Sequence, residues 1–172
     1  RAASRRMPRV ARRLLPIVVV ACLSPAAPAL AQCTLPGLAD SPRMPGVPFE
    51  ELSRQADDAW QTDRAEDAVR FYRAGVDLNP LWHDGWWRLG QALAEAGCHE
   101  AARDALRRVV RLKPGAGPGW TLLGLAEYRL GLFDLALADI SRGISLGASS
   151  APEIGRQGLH ALTLLLLRRG DF

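Results

Sequence analysis

Acidic side chains are missing from the start of this chain. The first is Asp40, although Arg1, Arg5, Arg6, Arg9, Arg12 and Arg13 crowd the opening thirteen positions. The formal net charge of +4 belongs to that segment: six of the 22 basic residues lie there, and the 16 that remain face 18 acidic ones, a net of −2. A mildly acidic body has no cationic field to attract a phosphate backbone, so nucleic acid is not the expected partner. Metal-ligand spacing is lacking too. His83, His99 and His160 fall on separate segments, and neither Cys33 nor Cys98 has a CxxC partner. No Ser/His/Asp or Cys/His arrangement sits in a suitable loop, and Asp57-Asp58 sends adjacent carboxylates to different helix faces. Gly115-Ala-Gly-Pro-Gly119 reads as a connector, not a phosphate loop, and Asp84 beside His83 reads as a helix-start cap. The expectation is no enzyme, no metal and no cofactor. Period-two alternation is also absent, which excludes a strand architecture. What the chain has is length for one domain, an apolar fraction of 48% that argues against disorder, and five tryptophans.

The leader divides into three parts. Positive residues from Met7 to Arg13 precede an apolar run from Leu14 to Leu23 and a small-residue tract ending in Ala29-Leu30-Ala31. Charges, then a greasy block, then small-x-small is the order a signal peptidase reads. The block is far shorter than the ~20 residues that span a bilayer, so a retained anchor is not expected. Residues 1–31 are therefore read as leader and signal peptide with Met7 as the start, and the body as an exported bacterial protein, periplasmic or secreted. A competing reading takes Val19-Val20-Ala21-Cys22 as a lipobox with Cys22 acylated, which would make an outer-membrane lipoprotein; its apolar core is short and contains Pro16. Membrane contact is expected only through the signal peptide or that anchor. After cleavage Cys33 and Cys98 form an even pair in an oxidising compartment, either bonded or left as two thiols, because sequence distance does not decide geometry. Prolines and glycines at Pro36, Gly37, Pro42, Pro45, Gly46 and Pro48 make 32–48 a flexible lead-in.

The body repeats. Asn79-Pro80 returns 34 residues later as Lys113-Pro114, Trp86 as Trp120, Leu89-Gly90 as Leu123-Gly124, Gly97 as Gly131 and Ala102 as Ala136. This pattern resembles the tetratricopeptide repeat: W-x2-L-G, a turn glycine, an alanine, a large apolar residue and a closing proline. The array covers 49–172, with units at about 49–82, 83–116 and 117–150 and a partial unit at 153–172. Repeat one is the weakest, with Asp63 at the turn-glycine position, and the last fits only with about five residues inserted after Leu146. Periodicity agrees independently. Trp86, Leu89, Ala92, Leu93 and Ala96 form a helical stripe that Gly97 ends, and Ala101, Ala102, Ala105, Leu106, Val109 and Leu112 form another that Pro114 stops. Small residues at Gly90, Gly124, Ala102 and Ala136 let paired helices approach closely. An all-α, right-handed solenoid of helix-turn-helix units follows.

The resemblance implies a non-catalytic scaffold that holds a peptide or partner protein in a concave groove. Carried over position by position, the groove takes Ser53, Asp57 and Trp60 from repeat one, Trp87, Arg88, Gln91 and Glu95 from repeat two, and Thr121, Leu125, Tyr128 and Arg129 from repeat three. Trp86 and Trp120 belong to the core. Other readings are a lipid-anchored subunit of an envelope assembly complex and the regulatory half of a larger enzyme. Leu159 to Leu167 followed by Gly170-Asp171-Phe172 reads as the first helix of a further repeat and the opening of its turn.

Overall fold

The computed structural model describes Cys33, Leu35, Met44 and residues 46–170. The leader, Cys22 and most of the lead-in lie outside these described residues. Seven α-helices follow in order: α1 (Phe49–Gln61), α2 (Ala65–Leu78), α3 (His83–Glu95), α4 (His99–Leu112), α5 (Gly117–Arg129), α6 (Phe133–Ser145) and α7 (Pro152–Arg169). A single 3₁₀ turn, Ala148–Ser150, precedes α7, and no strand occurs among the described residues. Helices adjacent in sequence pack side by side, and α7 lies on both α5 and α6. The helix hairpins α1–α2, α3–α4 and α5–α6 thus stack in series, each burying what its neighbour leaves open.

Each hairpin turns on one left-handed residue. Gly97 and Gly131 take φ of +75° and +74°, and Asp63 takes +57° where the sequence lacks a glycine. The aspartate does the glycine's task because its short polar side chain tolerates this region better than most. Gly170 repeats the geometry at the end of α7, φ +79°. The five residues inserted before the last unit are taken up by Gly147, also left-handed at φ +82°, and the 3₁₀ turn after it.

The helix pairs meet where side chains are smallest. A Cβ on Gly124 would fall 2.6 Å from Ile140 Cγ1 and 3.0 Å from the Ala136 carbonyl oxygen, so α5 and α6 touch almost backbone to backbone there. Gly90 lies beneath the Leu106 side chain of α4. Tyr72, Leu89, Leu93, Leu106 and Val109 form the buried centre of the first core cluster, and Ala136, Ile140, Ala161 and Leu165 that of a second. Trp86 and Trp120 serve the repeat boundaries. Their indole N–H groups donate to the carbonyls of Pro80 and Pro114, at 2.9 and 2.8 Å, and so hold each incoming loop against the helix it feeds.

One local expectation changes. Asp84 does not cap α3: Trp82 is the N-cap residue, without a side-chain bond, and Asp84 instead bonds the His83 ring through Nδ1 at 2.8 Å. The lead-in is tied down at Cys33, which forms a disulfide with Cys98 at the start of α4 (Cα–Cα 4.6 Å), while Leu35 packs on the first core cluster.

Candidate functional site

A groove of about 550 Å³ opens between α3 and the start of α7, with α5 as its floor. Gln91, Ala94 and Glu95 come from α3, Leu122, Leu125, Ala126 and Arg129 from α5, and Pro152, Glu153, Ile154 and Gln157 from α7. Leu106 and His99 of α4 complete the lining. The apolar members surround two buried polar atoms that find no partner among the described residues, Gln91 Oε1 and His99 Nδ1. Burial, and secondarily the charge of Arg129, holds His99 below the ordinary histidine value, so it is neutral at physiological pH. A neutral imidazole nitrogen and an amide oxygen can each pair with a ligand group of the complementary kind.

Residues 53–117 match the family model of the tetratricopeptide repeat. No curated protein matches the chain by sequence. Several solved structures match in fold. The Arabidopsis OM64 TPR domain is 19% identical with a TM-score of 0.60, over 68% of this chain and 93% of that one. The Sgt2 TPR domain of Aspergillus fumigatus is 17% identical with a TM-score of 0.62, over 72% and 82%. The type III secretion chaperone SycD of Yersinia enterocolitica, solved with a peptide of the translocator YopD, is 16% identical with a TM-score of 0.64, over 70% and 94%. The described helices thus share the fold of tetratricopeptide-repeat solenoid domains, and residues 53–117 carry the repeat itself.

Within the solenoid the sequence-selected residues scatter. Gln91, Leu125 and Arg129 line one groove, together with Glu95. Trp60 and Arg88 pair across the boundary of repeats one and two, the guanidinium 5.3 Å above the ring. Trp87 tilts toward His83, ring centres 6.2 Å apart, and packs on the first core cluster. Asp57 accepts a hydrogen bond from the Tyr72 hydroxyl at 2.7 Å, which ties α1 to α2. Tyr128 meets Phe133 edge-on at 5.8 Å and belongs to the second cluster. Thr121 is withdrawn entirely: it is fully buried and its hydroxyl donates to the Gly117 carbonyl at 3.2 Å. Gly143 of α6 and Gly158 of α7 both lie against Thr121, which covers a position that spacing alone leaves on the open wall.

Sequence reasoning missed the α7 contribution and His99, which begins a second helix and carried no motif. It also missed a buried acid. Glu127 of α5 is 1% exposed, at a position that is Leu93 in the preceding repeat. Arg107 of α4 approaches its Oε1 at 3.5 Å, while Oε2 has no partner among the described residues. Burial first, then the neighbouring Asp139 of α6, pushes its carboxyl up to about 7. Burial raises Asp139 as well. The repeat two–three junction thus holds two acids beside Arg103 and Arg107. Among the described residues, no three His, Cys, Asp or Glu side chains gather as a metal site would need, and no helix is long and apolar enough to cross a membrane.

Proposed function

We propose that this array is a non-catalytic binding module that holds an extended peptide in the groove between α3, α5 and α7. The observation that carries the reading is a groove of about 550 Å³ in which apolar Leu122, Leu125 and Ile154 lie among polar Gln91, Glu95, His99 and Arg129, with Gln91 Oε1 and His99 Nδ1 unpartnered among the described residues. An extended main chain brings an N–H and a C=O at each residue, which suits such a pair, while Leu122, Leu125 and Ile154 receive an apolar side chain. Arg129 and Glu95 at the edge set polarity. The SycD structure, a chaperone holding a translocator peptide, offers a precedent in the same fold.

The module works after export. The Arg-rich, apolar, Ala-Leu-Ala leader supports that, and so does the Cys33–Cys98 disulfide, which persists in an oxidising compartment. Expression in a bacterium with an outer membrane, followed by fractionation and N-terminal sequencing, should give a periplasmic chain starting at Gln32. Retention in the cytoplasm with residues 7–31 intact would remove the export half of the proposal.

For the groove, peptides selected from a displayed random library by the wild-type chain are measured against Gln91→Ala and Arg129→Ala. At least tenfold weaker binding is expected for each, about 1.4 kcal/mol. Undiminished affinity in both would rule the groove out.

A further inference from the structure

The Cys33–Cys98 bond joins two sulfurs in unequal surroundings. Cys98 is 1% exposed, belongs to the first core cluster and holds the N-cap position of α4. Cys33 is half-buried and lines a second groove, of about 460 Å³, together with residues of α2, α3 and α4. Cys98 does not line it, and the second groove shares no lining residue with the peptide groove. Exchange of a disulfide requires a thiolate to reach one of its two sulfurs, and access decides which one is attacked. Here the open approach leads to Cys33. The other sulfur is the one suited to leave. It sits at the positive end of the 14-residue α4, which favours a thiolate there and offsets part of the cost of its burial.

We propose that Cys33 is a thiol-exchange site and that its bond to Cys98 is a latch on the start of α4, opened by a dithiol. The dithiol enters the second groove and attacks Cys33 Sγ as its thiolate. The sulfur–sulfur bond breaks, its electron pair leaves with Cys98, and a mixed disulfide stands on Cys33. The reagent's second thiol then attacks its own bound sulfur. The reagent closes to a disulfide, Cys33 is released, and the two protons of the dithiol end on the two cysteines. The output lies at the peptide groove. His99 follows Cys98 directly and lines that groove, its Nδ1 unpartnered among the described residues. No side chain caps α4, so the covalent bond at its N-cap residue holds the first turn in place. Opening the latch lets that turn fray, and His99 leaves the groove. In an oxidising compartment the latch stays closed and the groove complete; where dithiols dominate, it opens. This output rests on the peptide-groove reading, whereas the exchange site does not.

The test starts from the oxidised chain in native buffer with a monothiol, 2-mercaptoethanol, which stops at the mixed disulfide. Early acid quench, alkylation and peptide mapping should place the adduct on Cys33 and the free thiol on Cys98, in about tenfold excess over the reverse. Sub-denaturing urea should leave the rate unchanged. An adduct on Cys98, equal adducts, or a rate that climbs with urea in step with global unfolding would overturn the exchange site. A peptide selected on the oxidised chain is then titrated against the chain reduced with dithiothreitol and against Cys33→Ser. With circular dichroism unchanged, both should bind about fivefold more weakly or worse. If the oxidised chain needs Gln91 and Arg129 for the peptide, yet the reduced and Cys33→Ser chains bind as tightly, the latch is refuted while the groove stands. A reduced chain that unfolds outright also refutes it, because the bond is then a staple for the whole fold. If the oxidised chain does not need Gln91 and Arg129, the groove reading falls and takes the output with it, and the adduct map still decides Cys33.

Discussion

Gly90 and Gly124 hold the same place in successive repeats, yet replacing each by alanine should have different consequences. Alanine in a helix interior is favoured over glycine by about 1 kcal/mol, so both substitutions begin with that gain. Against it stands the space a methyl would meet. At Gly124 the new Cβ would lie 2.6 Å from Ile140 Cγ1, 2.9 Å from the Ile140 nitrogen and 3.0 Å from the Ala136 oxygen. Two of those atoms are backbone, so relief requires α6 to move as a body, and Ile140 is itself fully buried. Overpacking of that kind costs about 1–3 kcal/mol, and with the backbone involved the upper end applies, for a net loss of about 2 kcal/mol. At Gly90 the near atoms are all in the Leu106 side chain, at 2.8, 2.8 and 3.6 Å, which can shift without the helix following. Gly90→Ala should therefore stay within about 1 kcal/mol of wild type. Urea unfolding followed by tryptophan fluorescence and circular dichroism resolves the difference, compared at midpoints with a common slope. A Gly90→Ala chain as destabilised as Gly124→Ala, or more so, refutes the reasoning.

Breaking the Cys33–Cys98 link opens a loop of 65 residues, so Cys33→Ser should cost about 4 kcal/mol in urea unfolding, and the wild type should lose a comparable amount when reductant is added. Glu127 holds its proton in the folded state up to a pKa of about 7, above the 4.5 of an ordinary glutamate. The stability this gives is complete below 4.5 and lost as pH rises through 7, so Glu127→Gln should gain on the wild type between pH 5 and pH 8, read from urea midpoints at both. Its neighbours Asp139, Arg103, Arg107 and Arg142 stay in place in that comparison. At the left-handed turn, Asp63→Val should lose about 1–2 kcal/mol while Asp63→Gly remains within about 1 kcal/mol of wild type, measured the same way.

The 34-residue recurrence of Trp-x2-Leu-Gly made the fold legible, because each recurring residue has a task that only its chemistry fulfils: an indole N–H for a loop carbonyl, a missing Cβ where helices cross, a left-handed turn. Asp63 was readable as the exception for the same reason. The groove was less so. Helical spacing picks the face on which Gln91, Leu125 and Arg129 lie, and they do come together. It does not tell how later helices cross that face: α6 and α7 bury Thr121, Tyr128 turns to Phe133 of α6, and α7 adds Ile154 and Glu153. The disulfide was illegible because two cysteines 65 residues apart say nothing of their distance in space. Glu127 did leave a signal, a carboxylate on the stripe that holds Leu123 and Ala126, which resembles a surface position until its neighbours are known.

The covalent bridge at Cys98 also reroutes force. A ring of chain from Cys33 to Cys98 contains all of repeat one and the first helix of repeat two. Tension applied at the amino-terminal end enters the solenoid at the beginning of α4 and passes on toward α7 without loading α1, α2 or α3. If the mature protein were held at its amino-terminal end and pulled at α7, repeat one would ride slack beside the loaded half.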